Sequence, residues 1–174
     1  MGEVEGQIRS EELDAEREAR RRAALSLVRQ YPDPVLRMKA NEVGDFDESV
    51  TGLVERMTLL MDEARGVGLA APQLGVLRRI LVYRKAEEEP VVALVNPRVV
   101  STGEEVEVAD EGCLSLGAAT VVVEVERPTA LKIEGSSPEG EPISIEAEGL
   151  EARVIQHELD HLDGVLIIDR TTPE

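Results

Sequence analysis

Two histidines are the whole of the imidazole chemistry in this chain, and they stand four residues apart in His157-Glu158-Leu159-Asp160-His161. On a helix, positions i and i+4 project from one face a turn apart, so both rings can reach one metal ion while Glu158 points toward that ion's open side. With two His and this Glu content, chance would produce an H-E-x-x-H in about 0.2% of arrangements, so the pair is read as metal-ligating rather than as packing. A catalytic centre needs a third protein ligand; with both His used, it must be Cys113 or one of many carboxylates. The single cysteine follows a glycine in Glu111-Gly112-Cys113-Leu114-Ser115, a turn-forming stretch between strands where the backbone can approach a metal closely. A third stretch, GVGLAAPQ at 66–73, is a glycine-containing turn after a helix. It has neither the Lys-Ser/Thr of a phosphate loop nor the glycine spacing of a dinucleotide fingerprint.

These residues need elements to place them. Apolar Val50, Leu53, Val54, Met57, Leu60 and Met61 follow helical spacing, which predicts a helix from Asp47 to Arg65 that Gly66 and Gly68 break. Strands are expected at Arg79–Arg84, Val91–Val100 with an interruption at Asn96-Pro97, Val121–Glu126, Thr129–Glu134 and Pro142–Glu146. The H-E-x-x-H lies on a last helix from about Leu150 to Leu162, stopped by Asp163-Gly164, and VLIID at 165–169 reads as a final apolar strand. Strands ahead of a late helix imply an α+β fold of mainly antiparallel strands packed around a C-terminal metal-binding helix, in a single domain. Residues 10–30 are rich in Ala, Glu and Arg, can start on Ser10 as an N-cap, and offer few apolar positions before Leu25. Residues 1–27 are therefore expected to be a solvated helical N-terminal extension and residues 28–174 the catalytic domain. Prolines 32 and 34 in YPDPVLR favour an extended lead-in.

Composition narrows the chemistry further. The chain of 174 residues carries a net −17, and residues 101–174 hold 18 acidic against 4 basic side chains. That sign opposes phosphate binding by counterion release, so no direct nucleic-acid binding is expected. Aromatics are 2% with no Trp, which leaves little for stacking on bases or sugars. One cysteine permits no intrachain disulfide, the N-terminus shows no signal-peptide stretch, and no apolar run is long enough for a membrane span. A cytoplasmic protein with no membrane partner is the expectation.

Together GVGLAAPQ (66–73), EGCLS (111–115) and QHELDHLDG (156–164), with YPDPVLR (31–37) as lead-in, resemble the peptide deformylase family over about Tyr31 to Asp169. The family removes the formyl group from the N-terminal methionine of new bacterial polypeptides, releasing formate. The resemblance implies one divalent metal held by Cys113, His157 and His161 with a water as fourth ligand. It implies Fe2+ in the cell, with Zn2+, Ni2+ or Co2+ able to occupy the site. A Lewis acid with an open position lowers the pKa of water, and Glu158 can take the proton and pass it to the departing amine. By family position, the oxyanion is stabilised by the Gln73 side-chain amide and the Leu114 backbone N–H. In the same way Gly68 pairs with the substrate as an added strand, and Val67, Leu150 and Val154 line the methionine pocket. Gln156 and Asp160 flank the ligands, and Asp160 is expected to support them. The expected partners are N-formylmethionyl peptides or nascent chains.

Two departures stand out. After EGCLS the family commonly continues with an aliphatic residue and proline, whereas this chain has Leu116-Gly117-Ala118-Ala119-Thr120, which changes the rim of the peptide site. Many relatives also carry a C-terminal helix, basic in some; here the chain reaches Glu174 five residues after Asp169 and its second half is acidic, so ribosome docking through a basic tail is not expected. Two other functions fit parts of the pattern: a non-catalytic metal-binding relative, and an H-E-x-x-H endoprotease, against which the cysteine ligand argues.

Overall fold

A computed structural model describes residues 2–171; Met1 and residues 172–174, the end of the short C-terminal tail, lie outside the described residues. Helix α1 spans Gly2–Leu27. It therefore runs through Ser10 instead of starting there, because the surrounding residues are good helix formers and a mid-helix serine costs only ~0.5 kcal/mol. It ends before Gln30 because the next backbone groups are used elsewhere: Arg29 N–H donates to Gln73 O and Tyr31 N–H to Ser115 O. Ala24 and Val28 are buried at this end and join the core.

The YPDPVLR lead-in is not wholly extended. A 3-10 turn covers Pro34–Arg37, with Asp33 Oδ1 accepting the Val35 N–H at 3.0 Å. Proline is excluded from helix interiors but suits a first helical position, where its missing N–H is not needed. Helix α2 follows at Glu48–Glu63, capped by Asp47 Oδ1 on the Ser49 N–H at 2.9 Å.

Seven strands are found among the described residues: β1 Gly68–Ala70, β2 Ile80–Arg84, β3 Val91–Thr102, β4 Val106–Gly112, β5 Val122–Pro128, β6 Ala130–Ser136 and β7 Pro142–Glu148. Five form one antiparallel sheet in the order β1-β2-β3-β6-β7, and β4 with β5 makes a separate antiparallel pair. Helix α3, Gly149–Leu162, follows β7. The sheet lies between α2 and α3, and the period-two alternation of strand side chains feeds both faces. Ile80 and Val82 join Met57, Leu60 and Met61 of α2, while Leu81 and Tyr83 join Ala152, Ile155 and Leu162 of α3. Each such burial of a large apolar side chain is worth ~1.5–3 kcal/mol.

Asn96-Pro97 does not interrupt β3. The strand passes through it with a register shift between Val95 and Arg98, and Asn96, in the left-handed region at φ 51, uses its side-chain amide to bond both the N–H and the carbonyl of Val43 at 2.8 and 2.9 Å. The side chain thus pins Val43 to β3 at the bulge, while the Asn96 N–H donates to Arg79 O at 2.8 Å.

Other elements also differ from the sequence reading: Gly68–Ala70, inside the stretch read as a turn, is strand β1. Residues 165–169 are not a strand: Ile167–Asp169 forms a 3-10 turn, with Asp169 Oδ2 accepting the Leu166 N–H at 2.9 Å and Ile167 packed beside Cys113, Leu116 and Val125. A short apolar run carries no information on which of these it becomes. Strand β4 is an addition to the sequence reading: Val106 and Val108 alternate with acids as in a half-solvated strand, but both valines are exposed and mark no core face.

Candidate active site

Four chain segments converge at one end of the sheet. Helix α3 presents His157, Glu158 and His161 along one turn, with the two imidazoles 5.1 Å apart centroid to centroid and edge to face. The end of β4 delivers Cys113, whose Sγ lies 3.3 Å from His161 Nε2. One donor atom from each of Cys113, His157 and His161 lies within 4.8 Å of the others. A thiolate and two imidazoles at that separation suit a borderline or soft divalent ion, and three ligands leave one position open.

Charge around these donors favours a cation. Burial would lower the His157 pKa, but its bonds to Cys113 and Glu111 and the charge of Glu158 outweigh burial and hold it up at about 10. The surroundings thus stabilise a positive charge on the protein's own ring where a metal would supply one. His161 behaves oppositely: burial, then the charges of His157 and Arg127, push it well below its ordinary value, keeping it neutral as a ligand must be.

Glu158 is buried and its Oε2 has no hydrogen-bond partner. Burial pushes its pKa up to about 7, against the opposing charges of His157 and Arg127. A carboxyl at that value can both take and give a proton near neutral pH. Gly68 of β1 lies directly against it; a Cβ there would stand 2.6 Å from Glu158 Oε1.

Gln73 sits in the 3-10 turn Ala71–Leu74 after β1 and is 2% exposed. Its Oε1 accepts the Ala70 N–H at 3.0 Å, which aims Nε2 at Ser115 Oγ (3.1 Å) and toward Cys113 Sγ (3.8 Å). Leu114 follows Cys113 directly and packs its side chain against the α2 side of the core. A cavity of about 300 Å³ opens over these groups, lined by Gln73, Cys113, Leu114, His157 and Glu158 together with Val67, Gly68, Leu150 and Val154. Val154 is buried at its wall, whereas Val67 and Leu150 are exposed at its rim. His161 lies outside this lining, beneath the cysteine. The ten site residues drawn from the sequence are therefore brought to one place.

Sequence reasoning missed the charged network behind the histidines. Glu111 Oε1 lies 3.2 Å from His157 Nδ1, Arg127 Nε donates to both Glu111 oxygens at 3.0 and 2.9 Å, and Arg127 also reaches Asp160 Oδ2 at 2.9 Å. Arg153 and Arg170 extend it to Glu111 and Asp160. Burial raises the Glu111 pKa, but the bonds from His157 and Arg127 outweigh it and leave the carboxylate below its usual value. Asp160, expected only to support the ligands, meets Arg127 and Arg170. Gln156 turns away from the metal ligands to the Pro128 carbonyl at 2.9 Å. Glu111 lies inside EGCLS (111–115), but nothing local in the sequence pairs Arg127 with residues 16 and 33 positions away.

The altered loop after EGCLS also has a definite shape. Gly117, Ala118 and Ala119 are all left-handed, at φ 60, 54 and 67. Such backbone costs ~1–2 kcal/mol for each non-glycine residue, so contacts around it must hold it. Leu116 and Ala119 N–H both donate to Cys113 O at 2.9 Å, and Ala119 lines the cavity.

The polypeptide deformylase family matches residues 25–174. The peptide deformylase of Thermotoga maritima is 45% identical over 146 residues, covering 84% of this chain and 87% of that one. That of Natranaerobius thermophilus is 44% identical over 147 residues, covering 84% and 92%. The crystal structure of the Thermotoga maritima enzyme superposes with a TM-score of 0.79 at 45% identity, over 84% of this chain and 97% of that one. That of a Synechococcus elongatus peptide deformylase in complex with actinonin superposes with a TM-score of 0.80 at 37% identity, over 84% and 80%. Family model, sequence identity and fold agree over most of the chain, and the chain belongs to the polypeptide deformylase family.

Proposed function

We propose that this protein is a metal-dependent hydrolase that removes the formyl group from the N-terminal formylmethionine of newly made polypeptides and releases formate. The observation that carries the reading is the grouping of Cys113, His157 and His161 within 4.8 Å beside a buried Glu158. A divalent ion held by those three residues, Fe2+ in the cell with Zn2+, Ni2+ or Co2+ as substitutes, would polarise the formyl oxygen and make water acidic enough to ionise near neutral pH.

The chain's own residues account for the rest. Water adds to the formyl carbon as Glu158 takes its proton; the C–N bond then breaks, and Glu158 returns the proton to the departing amine, leaving formate and a free N-terminus. Burial, which raises the Glu158 carboxyl above an ordinary glutamate, makes it a better proton acceptor for the first half of that transfer. The developing oxyanion is met by the Gln73 amide, already fixed by Ala70 and Ser115, and by the Leu114 N–H. Gly68 lets the peptide backbone run close to Glu158 as an added strand. The methionine side chain occupies the space between Val154 and the rim residues Val67 and Leu150.

In this reading residues 28–174 form the catalytic unit and residues 1–27 an extension from it. The protein works in the cytoplasm, where its substrates are made. No helix of the described residues is long and apolar enough to cross a membrane. With 18 acidic against 4 basic side chains in residues 101–174, this reading includes no ribosome docking through a basic tail. The test is formate release from formyl-methionyl peptides by protein loaded with Fe2+ under reducing, anaerobic conditions, with casein as a control. Formate release abolished by chelation and restored by metal supports the reading. Metal binding without formate release, or cleavage of casein instead, overturns it.

A further inference from the structure

We propose that Gln30 is a positioning residue for the reaction, its side-chain amide holding the Leu114–Gly117 turn so that the Leu114 N–H and the Gln73 amide face one point. This rests on the deformylase reading above. Three consecutive residues just beyond α1 reach both loops that carry the oxyanion donors. Arg29 N–H donates to Gln73 O at 2.7 Å, and Tyr31 N–H donates to Ser115 O at 2.8 Å. Between them, Gln30 Nε2 donates to Leu114 O at 2.7 Å while its Oε1 accepts the Gly117 N–H at 3.2 Å.

The geometry explains why an amide stands there. The carbonyl of Leu114 and its N–H flank a single Cα, so turning the backbone about Leu114 to swing the N–H away also disturbs the bond to Gln30. Gly117 opens the run of three left-handed residues, a conformation that persists only where the surroundings over-determine it. Within the loop, Cys113 O supplies that constraint through Leu116 and Ala119. Gln30 supplies it from outside, gripping both ends of the bend with one donor and one acceptor. A carboxylate could keep the Gly117 bond but would oppose the Leu114 carbonyl, and an alanine would lose both.

The experiment compares the wild-type chain with Gln30→Ala and Gln30→Glu, each loaded with the same metal. The readouts are formate release from a formyl-methionyl tripeptide, metal content, thermal melting and amide hydrogen exchange. For Gln30→Ala we expect kcat to fall about three- to tenfold, the range that loss of an ordinary hydrogen bond gives, with KM within about twofold and metal content and melting temperature unchanged. Gln30→Glu should lose at least as much kcat although its shape is preserved. The Gly117 amide should exchange faster in Gln30→Ala and stay slow in Gln30→Glu.

Wild-type kcat in Gln30→Glu, or equal Gly117 exchange in all three proteins, overturns the proposal. So does a parallel loss of melting temperature and metal, which would make Gln30 a general support of the fold. If the wild-type chain releases no formate, the functional reading fails separately, and Gly117 exchange still decides whether Gln30 holds the turn.

Discussion

Gly68 and Glu158 are packed so closely that a single methyl group on the glycine would lie 2.6 Å from the carboxylate Oε1 and 3.0 Å from its carbon. Strand β1 and helix α3 therefore touch through hydrogen alone at this point. Gly68→Ala is expected to push the carboxylate aside and lower kcat by ~10²-fold, since displacements of about 1 Å in a reacting group cost that much. Metal content should not change. Steady-state kinetics beside metal analysis checks this, and a wild-type kcat would show that the carboxylate moves freely.

Glu158→Gln keeps the shape of the buried side chain and removes its proton chemistry. Turnover is expected to fall by ~10²–10⁴-fold, the usual contribution of a positioned acid–base group, while Cys113, His157 and His161 still hold the metal. Metal analysis and formate assay on the same preparation separate the two effects. A rate close to wild type would remove Glu158 from the proton path.

Arg127 is 3% exposed and joins Glu111, behind His157, to Asp160. Arg127→Met removes the shared partner of two buried carboxylates, and because Glu111 keeps Arg153 and His157 and Asp160 keeps Arg170, the loss should be smaller than the ~3–5 kcal/mol of a fully orphaned buried charge. Urea unfolding should show a lower midpoint with a similar slope. Metal affinity should drop by ~10–100-fold, because Glu111 no longer stands fixed against the His157 ring. An unchanged midpoint would mean that the network carries no stability.

Asp169 gives a pH-dependent case away from the metal. Burial raises its pKa, but the Leu166 N–H and Arg37 outweigh that and hold it below the ordinary carboxylate value. A depressed native value adds stability above the unfolded pKa and loses it as pH falls through the native one. Asp169→Asn should therefore melt a few degrees below wild type at neutral pH, and the gap should close in strong acid. A gap independent of pH would assign the effect to packing.

Much of the site was legible because its parts are local. The i, i+4 spacing of His157 and His161, the Gly-Cys turn and the helix stop at Asp163-Gly164 are short-range patterns with few physical solutions. The stop is sharper than sequence showed: a Cβ on Gly164 would come within 2.5 Å of Arg37 O, so the left-handed residue there also seats the lead-in segment. The apolar helix α2 and the buried strand β2 were equally plain from periodicity. Residues 165–169 and strand β4 were not, since a run of four apolar residues ending on Asp169 fits strand or turn alike, and the valines of β4 face solvent and mark no core side.

The sequence by itself determined the chemistry on offer: one thiol, two imidazoles a helical turn apart, and a glutamate between them. It also set the α+β order of elements, because hydrophobic period and turn residues act over a few positions. Only the tertiary structure decided that the Cys113 thiol lies within 4.8 Å of donor atoms of both histidines, that Glu158 is buried beside them, and that Arg127 ties Glu111 to Asp160. It alone brought Gln30 across to Leu114 and Gly117. Those outcomes depend on distance and desolvation between residues far apart in the chain, and both arise only when the sheet, its two helices and the loops close around one another.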